Sequence, residues 1–151
     1  MSSLAQSGLI TAISTSATKG VKKNNVESAL FIENHGIAGD AHAANWHRQV
    51  SLLAHESIDK MIKAGLSHLH SGDFAENITT TGIELVSLPV GTQVLLGENV
   101  LLEITQIGKE CHTRCAIYYA AGDCVMPKEG VFAKVMKGGT VNTGASIRVV
   151  E

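Results

Sequence analysis

The sequence predicts a mainly β protein, a single β-barrel-like domain or strongly curved mixed sheet with one or two helices packed outside. Three observations lead there. Val, Ile, Leu and Thr are common while aromatics are scarce (Phe 3, Trp 1, Tyr 2), a mix that suits short β-branched strands. Fifteen glycines and only two prolines, Pro89 and Pro127, place glycine turns between those strands. Hairpin signals outnumber strand–helix–strand signals, and short strands lose their exposed edges most completely by closing on themselves.

Leu9–Ser14 reads as the first strand and Val26–Glu33, whose alternation is imperfect, as the second. The turn-rich stretch His35-Gly36-Ile37-Ala38-Gly39-Asp40 follows. Gln49–Ala54 is a short apolar run with the length of a buried strand. His55–Ala64 predicts the clearest helix: Ile58, Met61 and Ile62 recur at i, i+3, i+4, and Gly65 is placed to end it. Thr79–Gly82 and Pro89–Gly91 read as punctuation. Thr92–Leu96 and Val100–Ile107 flank Gly97-Glu98-Asn99, a three-residue glycine-containing loop typical of a β-hairpin. Cys111–Ala121 fits either a helical segment or a structured loop. Val131–Met136 and Ser146–Val150 are the closing strands, separated by Gly138-Gly139 and Gly144.

At 151 residues the chain fits one domain, taken as residues 1–151, with no repeat, linker or low-complexity tract. Twelve basic and fourteen acidic residues leave a net charge of −2, so no global basic field exists to hold nucleic acid by counterion release. No apolar run approaches the ~18 residues needed to span a bilayer. The N-terminus has neither a basic n-region nor a clean apolar h-region. Three cysteines are an odd count, unlike a disulfide framework, and a cytoplasmic protein with reduced thiols is expected.

Three clusters carry groups capable of chemistry. Cys111-His112-Thr113-Arg114-Cys115, with Cys124 nine positions on, puts Lys109, His112 and Arg114 within three positions of Cys111. A thiolate is a strong nucleophile and soft metal ligand, and nearby cations lower its pKa. The competing reading is a set of small buried hydrophobes, which suits Cys115 and Cys124 with their apolar neighbours. Zinc is a further option, although only one C-x3-C pair exists. The second cluster runs from Gly36 through His42 to Trp46-His47-Arg48-Gln49-Val50-Ser51-Leu52-Leu53. Arg48, immediately before an apolar strand, is placed either to clamp an anion bidentately or to pair with a carboxylate such as Asp40. The third, Gly72-Asp73-Phe74-Ala75-Glu76-Asn77-Ile78, offers a Glu-Asn pair that either fixes a ligand or stabilises a turn.

The order of these blocks resembles a known family. Thr18–Lys23, Gly36–His42 and His47–Leu53 look like the N-terminal half of a stand-alone MOSC domain, named for the C-terminal domain of molybdenum cofactor sulfurase. Gly72–Ile78 resembles the family's central G-x-x-x-E-N motif. Leu102–Cys111, Cys124–Lys134 and Lys137-Gly138-Gly139 are similar to its C-terminal third. The resemblance implies a β-barrel-like fold, and it implies that Cys111 is the functional thiol, carrying sulfur as a persulfide or ligating molybdenum. Its implied cofactor is molybdopterin with molybdenum or tungsten, bound stably or only in passing.

The chain has no room for the pyridoxal-phosphate desulfurase domain of the family's sulfurases. A separate cysteine desulfurase is therefore the expected sulfur donor, and a molybdenum or tungsten enzyme the acceptor. On this reading Cys111 accepts and delivers sulfur, and Lys109 and Arg114 stabilise its thiolate. Arg48, helped by Lys22 or Lys23, holds the pterin phosphate, while Glu76 and Asn77 fix the pterin edge or shape the pocket floor. Two alternatives differ in class. One is a small molybdenum oxidoreductase with Cys111 as metal ligand. The other is a non-catalytic module in which Cys111, Cys115, His112 and Cys124 hold zinc.

Overall fold

The computed structural model describes residues 7–17, 23–41, 43–63, 76–107 and 130–150. The first strand, β1 (Ser7–Thr15), is longer than its apolar pattern suggested. The expected second strand divides in two, β2 (Asn24–Val26) and β3 (Ser28–Ile32). The reason is that the chain changes sheets at Glu27: β2 pairs with β1, whereas β3 pairs with β10 (Gly139–Asn142). The Glu27 carbonyl accepts from Thr143 N and the Val26 carbonyl from Thr143 Oγ1, which hold the crossing point. A short β4 (Gly36–Ile37) adds to β3.

β5 (Val50–Ala54) runs directly into the helix α1 (His55–Lys63), as the sequence predicts. Ile58 of its apolar face is buried. Thr79–Gly82, read as punctuation, instead lies largely within β6 (Ile78–Thr81). Its threonines are β-branched and, placed between two partner strands, extend readily. A 3-10 turn (Leu85–Ser87) leads to the expected hairpin of β7 (Gln93–Leu96) and β8 (Val100–Ile107), with Gly97 at φ 61° opening the loop. β9 (Val131–Lys137) and β11 (Ser146–Val150) are the predicted closing strands. The unpredicted β10 begins inside the Gly138-Gly139 spacer. A Cβ on Gly138 would lie 2.5 Å from the Phe31 carbonyl oxygen, so this glycine marks a close crossing of strands rather than a turn.

Seven strands close in the order β1-β11-β7-β8-β9-β5-β6 and back to β1, with β2 appended to β1. This is the barrel the sequence predicts. Every neighbouring pair of described strands is antiparallel except β5–β6, whose parallel pairing requires a crossover and receives one that contains α1. Ile10, Ile13, Leu52, Ile78, Leu102, Ile104, Val131 and Ile147 fill the interior. The three-stranded sheet β10-β3-β4 contributes Phe31, Ile37 and Val141 to the same core. Among the described residues no helix is long and apolar enough to cross a membrane.

Closure brings β1 and β6 unusually near each other. A Cβ on Gly8 would lie 2.1 Å from the Thr81 carbonyl oxygen, and both atoms belong to the ladder, so neither side yields cheaply. Gly8→Ala is expected to destabilise the fold by about 2–3 kcal/mol in urea denaturation. An unchanged midpoint would mean that the barrel seam is wider than described.

Candidate functional site

Burying a polar group costs free energy unless its hydrogen bonds are replaced. In this barrel such groups gather on one side. Ser14 lies near the end of β1, Gln49 just before β5 and Ser51 within it, Glu76 and Asn77 just before β6, and Thr79 and Thr80 within it, all of them buried. The wall formed by β7, β8 and β9 instead faces the core with Val94, Leu96, Leu102, Ile104, Val131 and Val135.

Asn77 ties three strands together. Its Oδ1 accepts from Ser51 N at 3.0 Å and from Ser51 Oγ at 3.1 Å, and its Nδ2 donates to the Ser14 carbonyl at 3.1 Å. Its backbone N–H donates to Ser51 Oγ at 3.0 Å, and its carbonyl accepts from Ser14 N at 2.7 Å. The neighbouring Glu76 is fully buried, and its Oε2 accepts from Thr79 Oγ1 at 3.1 Å. The Glu-Asn pair singled out by sequence is thus built into the floor of this side of the barrel.

Gln49 fastens the approach to β5. Its Nε2 donates to Asn34 Oδ1 at 3.3 Å and its Oε1 accepts from Val135 N at 2.9 Å. Asn34 itself stands at φ 55°, a left-handed position that asparagine tolerates better than most residues. Gly36 packs against the same segment, because a Cβ there would meet the Gln49 carbonyl oxygen at 2.8 Å.

Asp40, offered by sequence as a partner for Arg48, pairs with Lys23 instead. Lys23 Nζ lies 2.8 Å from Asp40 Oδ1 with both side chains fully buried. The same oxygen accepts from Ser16 N at 3.1 Å, anchoring this connection beyond the end of β1. Lys23 is therefore committed within the fold, which does not suit it to hold a phosphate.

Arg48 is half-buried, and its Nε is buried without a hydrogen-bond partner among the described residues. Its guanidinium carbon sits 4.8 Å from the centroid of the Trp46 ring and 5.7 Å from that of Phe132. The segment before it is pinned to β8: His47 Nε2 and Gln106 Oε1 are 3.0 Å apart, and Thr105 Oγ1 donates to the His47 carbonyl. Sequence placed Trp46 in the second cluster without giving it a role, and did not single out Phe132. The available signal was the chain's single tryptophan two positions before the arginine.

Two of the three sequence clusters therefore meet at β5. Asn77 lies beside Ser51 on one edge, the Gly36–Asp40 turn abuts Gln49, and Phe132 pairs with Ser51 on the other edge. Lys22, His42, Lys109, Cys111, His112, Arg114, Cys115 and Cys124 lie outside the described residues, as does the candidate segment Cys111–Ala121. Among the described residues no group of three His, Cys, Asp or Glu side chains is placed to hold a metal ion. A cavity of about 390 Å³ opens elsewhere, at the far ends of β5 and β6, lined by Ala54, Glu56, Ile83, Glu84 and Leu85 among others. None of the site residues expected from sequence lines it.

The MOSC domain family model matches residues 39–151, three-quarters of the chain. The chain belongs to the MOSC domain family. That family includes the C-terminal domain of molybdenum cofactor sulfurase and is associated with the molybdenum cofactor. No curated protein sequence matches the chain. Among solved structures, this MOSC domain is similar to the YuaD protein from Bacillus subtilis (19% identity, 96% of each chain covered, TM-score 0.81). It is also similar to YiiM from Geobacillus stearothermophilus, at 18% identity over 95% of this chain and 75% of that one, TM-score 0.74. YiiM from Escherichia coli matches at 18% identity over 97% and 69% of the two chains, TM-score 0.69. At these identities the likeness is one of fold.

Within this MOSC domain the two kinds of polar residue should separate in stability measurements. Asn77→Ala strands the Ser51 and Ser14 backbone groups and is expected to cost about 3 kcal/mol in chemical denaturation. Arg48→Met keeps most of the packing and removes no hydrogen bond, so a change under about 1 kcal/mol is expected. Equal losses would place Arg48 in the structural network.

Proposed function

We propose that this MOSC domain is a sulfur carrier that serves a molybdenum or tungsten cofactor. Cys111 takes sulfur as a persulfide and presents it to the cofactor of a partner enzyme. The observation that supports the reading is Arg48, a cation whose buried Nε has no hydrogen-bond partner among the described residues, standing over the first residues of β9. Ile107 and Val131 pair at the end of the β8–β9 ladder, next to the Phe132 that underlies Arg48. Cys111 lies outside the described residues and follows Ile107 by four positions in the sequence.

The residues present fit a phosphate-bearing cofactor. A guanidinium offers paired N–H donors matched to a phosphate dianion, and an orphan donor in a half-buried setting gains most from such a partner. Arg48 would hold the phosphate. The bonds that Asn77 and Glu76 already make suit them to shaping the floor beneath it rather than to reaching the pterin edge. When bound, the cofactor would supply a metal with affinity for soft sulfur ligands. Lys109 and Arg114 would favour the Cys111 thiolate.

Loading is a thiol–persulfide exchange. The Cys111 thiolate attacks the terminal sulfur of a cysteine desulfurase persulfide, a new S–S bond forms on Cys111, and the donor cysteine leaves as thiolate. No net oxidation occurs and no oxidant is consumed.

The test is the intact mass and metal content of the native protein and Cys111→Ser, each incubated with a cysteine desulfurase and free cysteine. The native protein is expected to gain one sulfur atom and the variant none, with little change in thermal stability. A sulfur adduct that persists in Cys111→Ser would refute the assignment of Cys111. Molybdenum or tungsten retained in near-equal ratio by the native protein alone would favour an oxidoreductase with Cys111 as metal ligand. Zinc lost together with the fold would favour a structural metal module.

A further inference from the structure

A bare arginine has many conformers, and an anion site built on one must hold its plane still. Here that task falls to two rings. Trp46 and Phe132 contact the guanidinium carbon of Arg48 at 4.8 and 5.7 Å, from opposite sides in the sequence: one on the approach to β5, the other on β9. The Trp46 ring is itself braced edge-on by the His47 ring, with centroids 5.7 Å apart and planes at 69°. His47 in turn is fixed to β8 through Gln106 and Thr105. The carboxylate facing outward on the neighbouring part of β8, Glu103, lies 3.9 Å from Lys134 and does not neutralise Arg48. The result is a cation braced by rings, with no hydrogen bond to the described residues to satisfy its buried Nε.

We propose that Trp46 and Phe132 are positioning residues of an oxyanion site, clamping the Arg48 guanidinium in one plane so that it receives a phosphate monoester dianion as a paired donor. The clamp stands on the position of the guanidinium carbon over the two rings; the choice of phosphate rests on the cofactor reading above. The rings do not touch the ligand's reacting atoms. Their contribution is to remove the conformational freedom that Arg48 would otherwise lose on binding, and to shield its face from water.

Trp46 is the chain's single tryptophan, so its fluorescence reports on the ring packed against Arg48 without interference from another indole. The experiment titrates the full-length protein with inorganic phosphate, using chloride at matched ionic strength as the control. A saturable change in Trp46 emission with phosphate alone is expected. Arg48→Met should abolish it, and Arg48→Lys should weaken it, because an ammonium has no planar face to stack.

Calorimetry then follows phosphate binding to variants that lack the indole. Trp46→Phe should bind within about threefold of the native protein, and Trp46→Ala about fivefold or more weakly. Circular dichroism establishes that each variant is folded. Two results would overturn the proposal: a native protein with no saturable response, or a folded Trp46→Ala variant that binds phosphate as tightly as the native chain. Cys111→Ser keeps the two readings apart. It should bind phosphate normally, so a failed sulfur transfer leaves this signal intact, and a failed clamp leaves the sulfur adduct intact.

Discussion

The hydrogen bonds between Asn77 and Ser51 hold this side of the molecule in place. They join β6 to β5, the parallel pair of the barrel, at the point where both strands begin. A parallel pair has no tight turn to set its register, because the connection between its strands is long. A side chain that bonds both the backbone and the hydroxyl of the opposite residue supplies that register directly. The third bond, to the Ser14 carbonyl, extends the same fixing to β1. Around this knot β5 cannot slide without leaving buried donors unpaired, and such a group costs about 1–3 kcal/mol.

The candidate site residues that the structure describes are carried by β5 and its neighbours. Arg48 and Gln49 precede its first residue, the Glu76-Asn77 pair stands on its parallel edge, and β9 on the other edge begins just after the cysteine-bearing part of the chain. The barrel therefore has two unlike halves. One faces the core with aliphatic side chains from β7, β8 and β9. The other holds buried polar groups whose hydrogen bonds are nearly all made, so it contributes less to stability and more to a fixed arrangement. Arg48 Nε and Thr80 Oγ1 are the described exceptions. Thr80 lies within the ladder, whereas Arg48 reaches a surface where a ligand can meet it.

The buried Lys23–Asp40 pair shows why residue type and position in the chain do not by themselves assign a role. Lys22 and Lys23 are equivalent as sequence, two adjacent cations ahead of a strand. In the fold Lys23 is fully enclosed against Asp40, and that oxygen also receives the Ser16 backbone N–H. Breaking such a pair leaves an uncompensated buried charge, so both partners are retained for the fold whatever ligand the site takes. With Asp40 thus occupied, Arg48 is left to the aromatic rings.

The barrel, its principal strands, the β7–β8 hairpin and the helix after β5 were legible in the sequence, because strand alternation, helical periodicity and a glycine loop are local signals. Membership of the MOSC domain family was legible too, in the order of several short blocks along the chain. Local signals failed where the cause was distant. Val26–Glu33 splits because its two halves join different sheets. The Thr79–Gly82 stretch extends because β1 and β5 flank it, and β10 opens at Gly139, inside the glycine spacer, because it pairs with β3. The same holds for the site. Sequence named Arg48, Glu76 and Asn77 from their chemistry. Glu76 bonds the nearby Thr79, but Ser51, which Asn77 bonds, lies 26 positions from it, and Phe132, beside Arg48, lies 84 positions from that arginine. Pairing across such separations is decided by closure of the barrel, which no short stretch of chain encodes alone.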